Sequence, residues 1–91
     1  MVTSIILINV ERSAINETAQ QIADMKGISE VYSVSGRYDL VAIARVQANE
    51  ELSDLVTNHL LKIDAITRTE TMLAFKAYSR HDLDAMFAIG I

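Results

Sequence analysis

The chain has 91 residues with no cysteine, a hydrophobic share of 51% and a formal net charge of −4. A chain of this length forms a single domain, and without cysteines it has neither disulfides nor thiolate metal sites. The acidic balance, with basic residues scattered singly, does not match a phosphate-binding surface and therefore predicts no direct contact with nucleic acid.

Membrane association is not expected either. No stretch of the sequence approaches the roughly 18 consecutive apolar residues of a membrane span, and residues 1–4 lack the basic start of a signal peptide. We therefore expect a cytoplasmic protein. The hydrophobic share is high for a small domain, which predicts that part of the apolar surface faces another subunit.

The first predicted element is a strand over Val2–Val10, in which apolar residues alternate between two faces. Ile6, Ile8 and Val10 lie on one face, and Ile5 and Leu7 lie on the other. Both faces of this strand therefore need to be covered.

An amphipathic helix follows the strand. Ser13 is its expected N-cap, and Gly27 is the glycine expected at its C-terminal end. The side chains expected to pack on the core recur at spacings of three and four, and they are Ile15, Thr18, Ala19, Ile22 and Met25.

The middle of the chain predicts a hairpin and a second helix. Residues 28–35 and 40–46 are strand-like stretches joined by a short connection around Gly36, as in an antiparallel hairpin. Asn49 is the expected cap of the second helix, whose first turn carries two glutamates where the helix dipole favours them. Its buried stripe is Leu52, Leu55, Val56, Leu60 and Ile63.

The last strand is predicted over residues 66–78. One face carries Thr67, Thr69, Thr71, Leu73 and Phe75, and the other carries Arg68, Glu70, Met72 and Ala74. The sequence from Ser79 to Asp82 has the form of a capping box, which predicts a short helix. The expected division is thus a domain over residues 1–78 and a helical tail over residues 79–91.

The two halves of the sequence are similar at an offset of 38 positions, at which Ile22, Gly27 and Ile28 correspond to Leu60, Ala65 and Ile66. Two βαβ halves with right-handed crossovers predict an α+β fold, the ferredoxin-like βαββαβ sandwich. In this fold two helices cover one face of a four-stranded antiparallel sheet. The other face has no helix, so we expect face-to-face association of two sheets.

The connection around Gly36 carries the most specific chemistry. Asp39 can accept hydrogen bonds from a ligand ammonium, while the amides near Gly36 or the Arg37 guanidinium can hold a carboxylate, a combination that suits a free amino acid. The alternative is structural: Gly36 only makes the turn, Asp39 only bonds the local backbone, and Arg37 is a solvated cation. Tyr38 and Tyr32 either close a pocket wall or are ordinary interface residues.

The threonines of the last strand and the two histidines are weaker indications of function. The threonine hydroxyls of the last strand could meet a polar ligand, although threonine at alternate positions is usual in strands. His59 and His81 lie far apart, with no second histidine at ligand spacing, so no metal site, cofactor or catalytic residue is predicted.

Three runs of residues together resemble a known family: Met-Lys-Gly-Ile at 25–28, Val-Ser-Gly-Arg-Tyr-Asp-Leu at 34–40, and Ile-Thr-Arg-Thr-Glu-Thr at 66–71. The pattern, over residues 1 to about 77, resembles the effector domain of the leucine-responsive regulatory protein and asparagine regulator (Lrp/AsnC) family, also called the domain for regulation of amino acid metabolism. Ala65, where the family usually has glycine, and the tail depart from the pattern.

The resemblance implies a stand-alone effector domain without the helix-turn-helix domain that precedes it in full-length members. It also implies homodimers formed by sheet-to-sheet packing, their assembly into an octamer or decamer, and a free amino acid bound between neighbouring dimers. The residues it places at that site are Ser35, Gly36, Arg37, Tyr38 and Asp39, with Thr69 and Thr71 from the last strand.

Three functions follow as hypotheses. The first is an amino-acid-binding, oligomerising module that acts in the regulation of transcription or of amino acid metabolism. The second is a partner that forms mixed oligomers with DNA-binding relatives of the same family. The third is a small monooxygenase-like enzyme, because dimeric ferredoxin-like domains include such catalysts, with a histidine or asparagine between sheet and helices.

Overall fold

The computed structural model describes residues 1–78 and Arg80. Its strands are β1 (Val2–Val10), β2 (Ile28–Ser33), β3 (Leu40–Val46) and β4 (Ile66–Ala74), and its α-helices are α1 (Ile15–Ala23) and α2 (Asn49–Asp54). The predicted tail helix lies outside the described residues except for Arg80. The four strands form one antiparallel sheet in the order β2-β3-β1-β4, which confirms the ferredoxin-like fold.

The core lies between the helices and one face of the sheet. Along β1, Ser4, Ile6, Ile8 and Val10 are buried, and along β3 the same is true of the alternate positions from Leu40 to Val46. The predicted alternation of β1 is therefore confirmed. Ile22 of α1 and Leu60 of the second helical segment, which occupy equivalent positions in the two halves, are both fully buried.

The sequence pattern predicts that the second helical segment is one regular helix, and the structure differs from this prediction. After α2 it continues as a π-helical stretch, Leu55–His59, and a 3₁₀ turn, Leu60–Lys62. Leu55 and Leu60 are five residues apart, which in an α-helix would place them about 140° apart around the axis. The wider π turn brings both side chains onto the core, and both are buried. Within residues 1–78 and Arg80, the structure contains no helix with the length and apolarity to cross a membrane.

The predicted helix caps are wrong. The N-cap positions are Ala14 and Ala48, and neither makes a side-chain capping bond. A 3₁₀ turn over Arg12–Ala14 precedes α1 and moves its start beyond Ser13. At the start of α2 the Glu51 carboxylate accepts a hydrogen bond from the amide of Gln47 at 3.3 Å. A glutamate side chain in the first turn therefore supplies an acceptor for the backbone just before the helix.

Two strands are shorter than predicted. The β4 ladder ends at Ala74 because its partner there, Thr3, lies at the start of β1, so residues 75–78 have no strand beside them. The β2 ladder ends at Ser33, which pairs with Leu40 across the hairpin. Gly27 has a positive φ of 97°, as expected of a glycine after a helix, but it lies four residues beyond the end of α1.

Candidate functional site

The hairpin loop, residues 34–39, closes between β2 and β3. The amide of Val34 donates to the carbonyl oxygen of Asp39 at 3.0 Å. Gly36 adopts a φ of +110°, and a Cβ placed on it would meet no heavy atom within 4 Å. Ser35, Gly36 and Arg37 are exposed. A small ligand can therefore approach the backbone amides of the loop closely.

Asp39 fastens this loop to the central strand. Its amide donates to the carbonyl oxygen of Ile8 at 3.0 Å, and its Oδ2 accepts a hydrogen bond from the amide of Val10 at 2.9 Å. The register of β1 against β4 shifts between Asn9 and Val10, and the carboxylate supplies the acceptor for Val10 there. The Asp39 carboxylate thus bonds a backbone amide, as in the structural alternative, but that amide belongs to β1 and not to the local backbone. A carboxylate offers about four acceptor sites, so this bond does not exhaust it.

Tyr38 reaches across the sheet to β4. Its hydroxyl donates to Glu70 Oε2 at 2.6 Å, and the guanidinium carbon of Arg68 lies 5.9 Å from its ring centroid. Because β1 lies between β3 and β4, the Tyr38 side chain crosses the end of β1. The hydrogen bond to the Glu70 carboxylate raises the pKa of Tyr38 above 10.0, with smaller contributions from burial and from the negative charge of Glu70.

Sequence reasoning missed Glu70 and Arg68 as neighbours of the loop. Glu70 pairs with Leu7 and Arg68 pairs with Asn9, so both lie on the face of the sheet that the helices leave open. The available signal was the alternation of β4, which already places these two residues on one face. What the sequence does not provide is the strand order that brings Tyr38 to them.

The structure does not bring Thr69 and Thr71 together with Tyr38. Thr69 pairs with Ile8, and Thr71 pairs with Ile6, so both threonines share the face on which the helices pack. The thickness of the sheet separates their hydroxyls from the Tyr38–Glu70 pair. Thr69 is partly buried and Thr71 is exposed.

The open sheet face combines a central apolar strip with charged flanks. On β2, Glu30 lies 3.6 Å from the Arg45 guanidinium and accepts a hydrogen bond from the Tyr32 hydroxyl at 2.7 Å. On β4, Glu70 and Arg68 form the opposite flank. The partly buried or exposed apolar residues between them are Ile5, Leu7, Val41, Ile43 and Met72.

The candidate metal ligands do not converge in the part of the chain that the structure describes. It contains no group of three or more histidine, cysteine, aspartate or glutamate side chains placed to hold a metal ion. His59 lies 3.4 Å from Asp54 on the surface, with about half of each side chain exposed. This pair does not form a buried acid–base site.

Comparison with known proteins relates the chain to a family of regulators. The model of the Lrp/AsnC ligand binding domain matches residues 3–83. An uncharacterized HTH-type transcriptional regulator of Pyrococcus furiosus is 32% identical over 81% of this chain and 49% of its own length. The chain thus spans about half the length of the curated relatives it matches.

Solved structures resemble this one closely. The crystal structure of a Thermus thermophilus protein superposes with a TM-score of 0.83 at 44% identity, covering 88% of this chain and all of that one. The complex of a Neisseria meningitidis transcriptional regulator with L-methionine superposes with a TM-score of 0.79 over 87% of this chain and 53% of that one. Its 14% identity makes the second likeness one of fold.

Proposed function

Since this chain belongs to the Lrp/AsnC ligand binding domain family, we propose that it binds a free amino acid at the hairpin loop and couples occupancy to its assembly with other subunits. The observation that carries the proposal is the loop itself. It presents the amides around the exposed Gly36, and the Arg37 guanidinium, beside the Asp39 carboxylate in the same six-residue loop.

The two charged groups of an amino acid have complementary partners in this loop. The Arg37 guanidinium and the amides near Gly36 bind the carboxylate, and Asp39 accepts from the ammonium with the acceptor capacity that Val10 leaves over. Tyr38 forms a wall, held by Glu70. The binding of L-methionine by a regulator of the same fold supports an amino acid as the ligand class.

The loop is open, and we propose that a neighbouring subunit completes the pocket. The apolar strip of the open sheet face supports a homodimer in which two sheets pack together, because burial of this strip removes apolar surface from water. Dimers then assemble to an octamer or decamer. Thr69 and Thr71, on the other side of the sheet, contribute to a ligand only if a second subunit brings one there.

Calorimetric titration of the full chain with each standard amino acid tests this function. We expect saturable binding of at least one amino acid, and a change in oligomer size on binding, measured by light scattering. Arg37→Gln removes the cation from an exposed side chain and should abolish most of the binding. Asp39→Asn keeps an oxygen for the Val10 amide but removes the charge, and it should weaken binding with little loss of stability.

Asp24→Asn is the matched control, because Asp24 is an exposed aspartate at the end of α1, away from the hairpin. It should bind as the unmodified chain does. An absence of binding at millimolar concentrations of every amino acid would contradict the proposal. If Arg37→Gln and Asp39→Asn both leave the binding unchanged, the ligand binds outside the loop.

A second proposed role is association with DNA-binding relatives. Its support is that the curated relatives are named as HTH-type transcriptional regulators and match this chain over about half their length. Co-purification of the tagged chain from its native extract should then recover such a regulator, and recovery of homo-oligomers alone would contradict this role. The enzyme hypothesis gains no support from His59, which lies at the surface beside Asp54.

A further inference from the structure

A groove opens at the end of the sheet opposite the hairpin loop. It has a volume of about 740 Å³, within the range of about 300–1,000 Å³ that is usual for small-molecule sites. We call it the α2 groove, and the lining residues on which the argument depends are Lys26, Gly27, Val46, Glu50, Asp54 and Leu55. None of them belongs to the hairpin loop, and β3, seven residues long, places about 20 Å between the two sites.

The floor of the groove is apolar and well packed. Val46 and Leu55 are buried, with 6% and 3% of their surfaces exposed. A Cβ on Gly27 would lie 3.0 Å from Val46 Cγ1 and 3.5 Å from Leu55 Cδ2. The absence of a side chain at this glycine therefore leaves room beside the floor, and the carbonyl oxygen of Gly27 is fixed by the amide of Arg45 at 2.8 Å.

The walls of the groove carry opposite charges. Lys26 stands on the turn between α1 and β2, whereas Glu50, Glu51 and Asp54 stand on α2. Arg45 also lines the groove, but its guanidinium lies 3.6 Å from Glu30 on the open sheet face, and this contact partly neutralises its charge. A ligand that lies across the groove thus meets a cation at one wall and carboxylates at the other.

The π-helical stretch arranges the acidic wall. Its widened turn brings His59 over Asp54, five residues earlier, with 3.4 Å between Nε2 and Oδ2. Asn58 donates to the other oxygen of Asp54, Oδ1, at 2.6 Å. The carboxylate of Asp54 is therefore oriented by two neighbours while it stays partly exposed to the groove.

We propose that the α2 groove is a second small-molecule site, which takes an amphoteric ligand. The carboxylate of the ligand lies at Lys26, its ammonium group lies at Glu50 and Asp54, and its aliphatic part lies on Val46 and Leu55. Each polar interaction is made near the surface and is modest, so affinity depends on both ends of the ligand being charged. The site is independent of the amino acid proposed for the hairpin loop.

Amide-detected NMR titration of the full chain tests the groove with three probes. L-lysine carries ammonium groups and a carboxylate, cadaverine carries only the ammonium groups, and glutarate carries only carboxylates. We expect L-lysine to shift the amides of Gly27 and Gln47 and to bind about threefold to fivefold more tightly than either of the others. The titration is repeated in Arg37→Gln, which disables the hairpin loop and should leave these shifts in place.

Two variant pairs locate the charges. Lys26→Gln should weaken the binding of L-lysine by about threefold to fivefold and leave the binding of cadaverine unchanged, whereas Glu50→Gln should weaken the binding of both. The control for Lys26→Gln is Lys62→Gln, a lysine at the end of the second helical segment that does not line the groove, and the control for Glu50→Gln is Glu17→Gln, a glutamate in the first turn of α1. Both controls should leave both affinities unchanged.

The outcomes separate the two sites. Shifts confined to residues 34–39 would overturn the groove and leave the proposed function standing. Equal binding of L-lysine and cadaverine, or equal effects of Lys26→Gln and Lys62→Gln, would also overturn it. Groove shifts in the unmodified chain, together with no hairpin response to any of the standard amino acids, would support the groove and contradict the proposed function.

Discussion

The turn from α1 into β2 and the turn into β4 can be compared bond for bond, because they lie 38 positions apart in the two halves of the domain. In the first, the amide of Met25 donates to Ile22 O at 3.0 Å, and the amide of Ile28 donates to Met25 O at 3.2 Å. In the second, the equivalent bonds, Ile63 to Leu60 and Ile66 to Ile63, are both 3.1 Å.

The two turns differ at the residue that directly precedes the strand, which is Gly27 before β2 and Ala65 before β4. Gly27 has a φ of 97°, a region that favours glycine, whereas Ala65 does not have a positive φ. Alanine at position 65 therefore carries no left-handed strain. What the halves share is the buried residue at the end of the helix and its hydrogen bonds, and the glycine is required only where the turn lies against Val46.

The largest expected effect comes from the two shared buried residues. Ile22→Ala and Leu60→Ala each remove a fully buried side chain, and each should lower the free energy of unfolding by about 2–5 kcal/mol. Urea denaturation at a fixed protein concentration measures both. Leu61→Ala is the matched control, since Leu61 is 55% exposed and its truncation should cost less than about 1 kcal/mol. A small loss for only one of the buried pair would break the equivalence of the halves.

Exchanging the turn residues gives a smaller effect that is unequal between the halves. Gly27→Ala should cost about 1–3 kcal/mol, because alanine is strained at a φ of 97° and its Cβ would lie 3.0 Å from Val46. Ala65→Gly should cost only about 0.5–1 kcal/mol, through the greater entropy of the unfolded chain. Thermal denaturation compares the two, and a larger loss for Ala65→Gly would show that the difference between the turns has been misread.

The smallest effects concern two tyrosines. Carboxylate hydrogen bonds raise the pKa of Tyr32 through Glu30, on the same strand, and that of Tyr38 through Glu70, on another strand. The folded chain holds these phenol protons more tightly, so this stabilisation is present below the unfolded pKa, near 10.0, and is lost as pH rises through the higher folded values.

Phenolate absorbance, assigned with Tyr32→Phe and Tyr38→Phe, measures the two titrations. Glu70→Ala should lower the pKa of Tyr38 and leave Tyr32 unchanged, and Glu30→Ala should do the reverse. A Tyr38 titration that Glu70→Ala does not move would contradict the contact across the sheet.

The sequence predicts those parts of the fold that depend on burial alone. The bounds of β1 and β3 are correct because alternating burial leaves a period of two in the sequence. The π-helical stretch was missed because Leu52, Val56 and Leu60, which are spaced by four, also fit an α-helical stripe. The caps were predicted wrongly because Ser13 and Asn49 are residue types that favour N-caps, but Ser13 lies inside the 3₁₀ turn and Asn49 is already the first residue of α2.

At the candidate site, the sequence identifies the loop but not its surroundings. The residues around Gly36 are contiguous, so their chemistry can be seen without a fold. The contacts of Asp39 with Val10 and of Tyr38 with Glu70 depend on the sheet order and on the register shift in β1, which no local pattern records. Residues that a second subunit would add to the site cannot be identified from the sequence pattern of one chain.

The strand order also determines how the domain can fold. In the order β2-β3-β1-β4, β1 and β2 of the first half are separated by β3, and β3 and β4 of the second half are separated by β1. Apart from the hairpin that joins β2 to β3, every strand pair links distant parts of the sequence. Neither half can form a strand pair alone, so the sheet forms only when nearly the whole chain is present, which favours cooperative and comparatively slow folding.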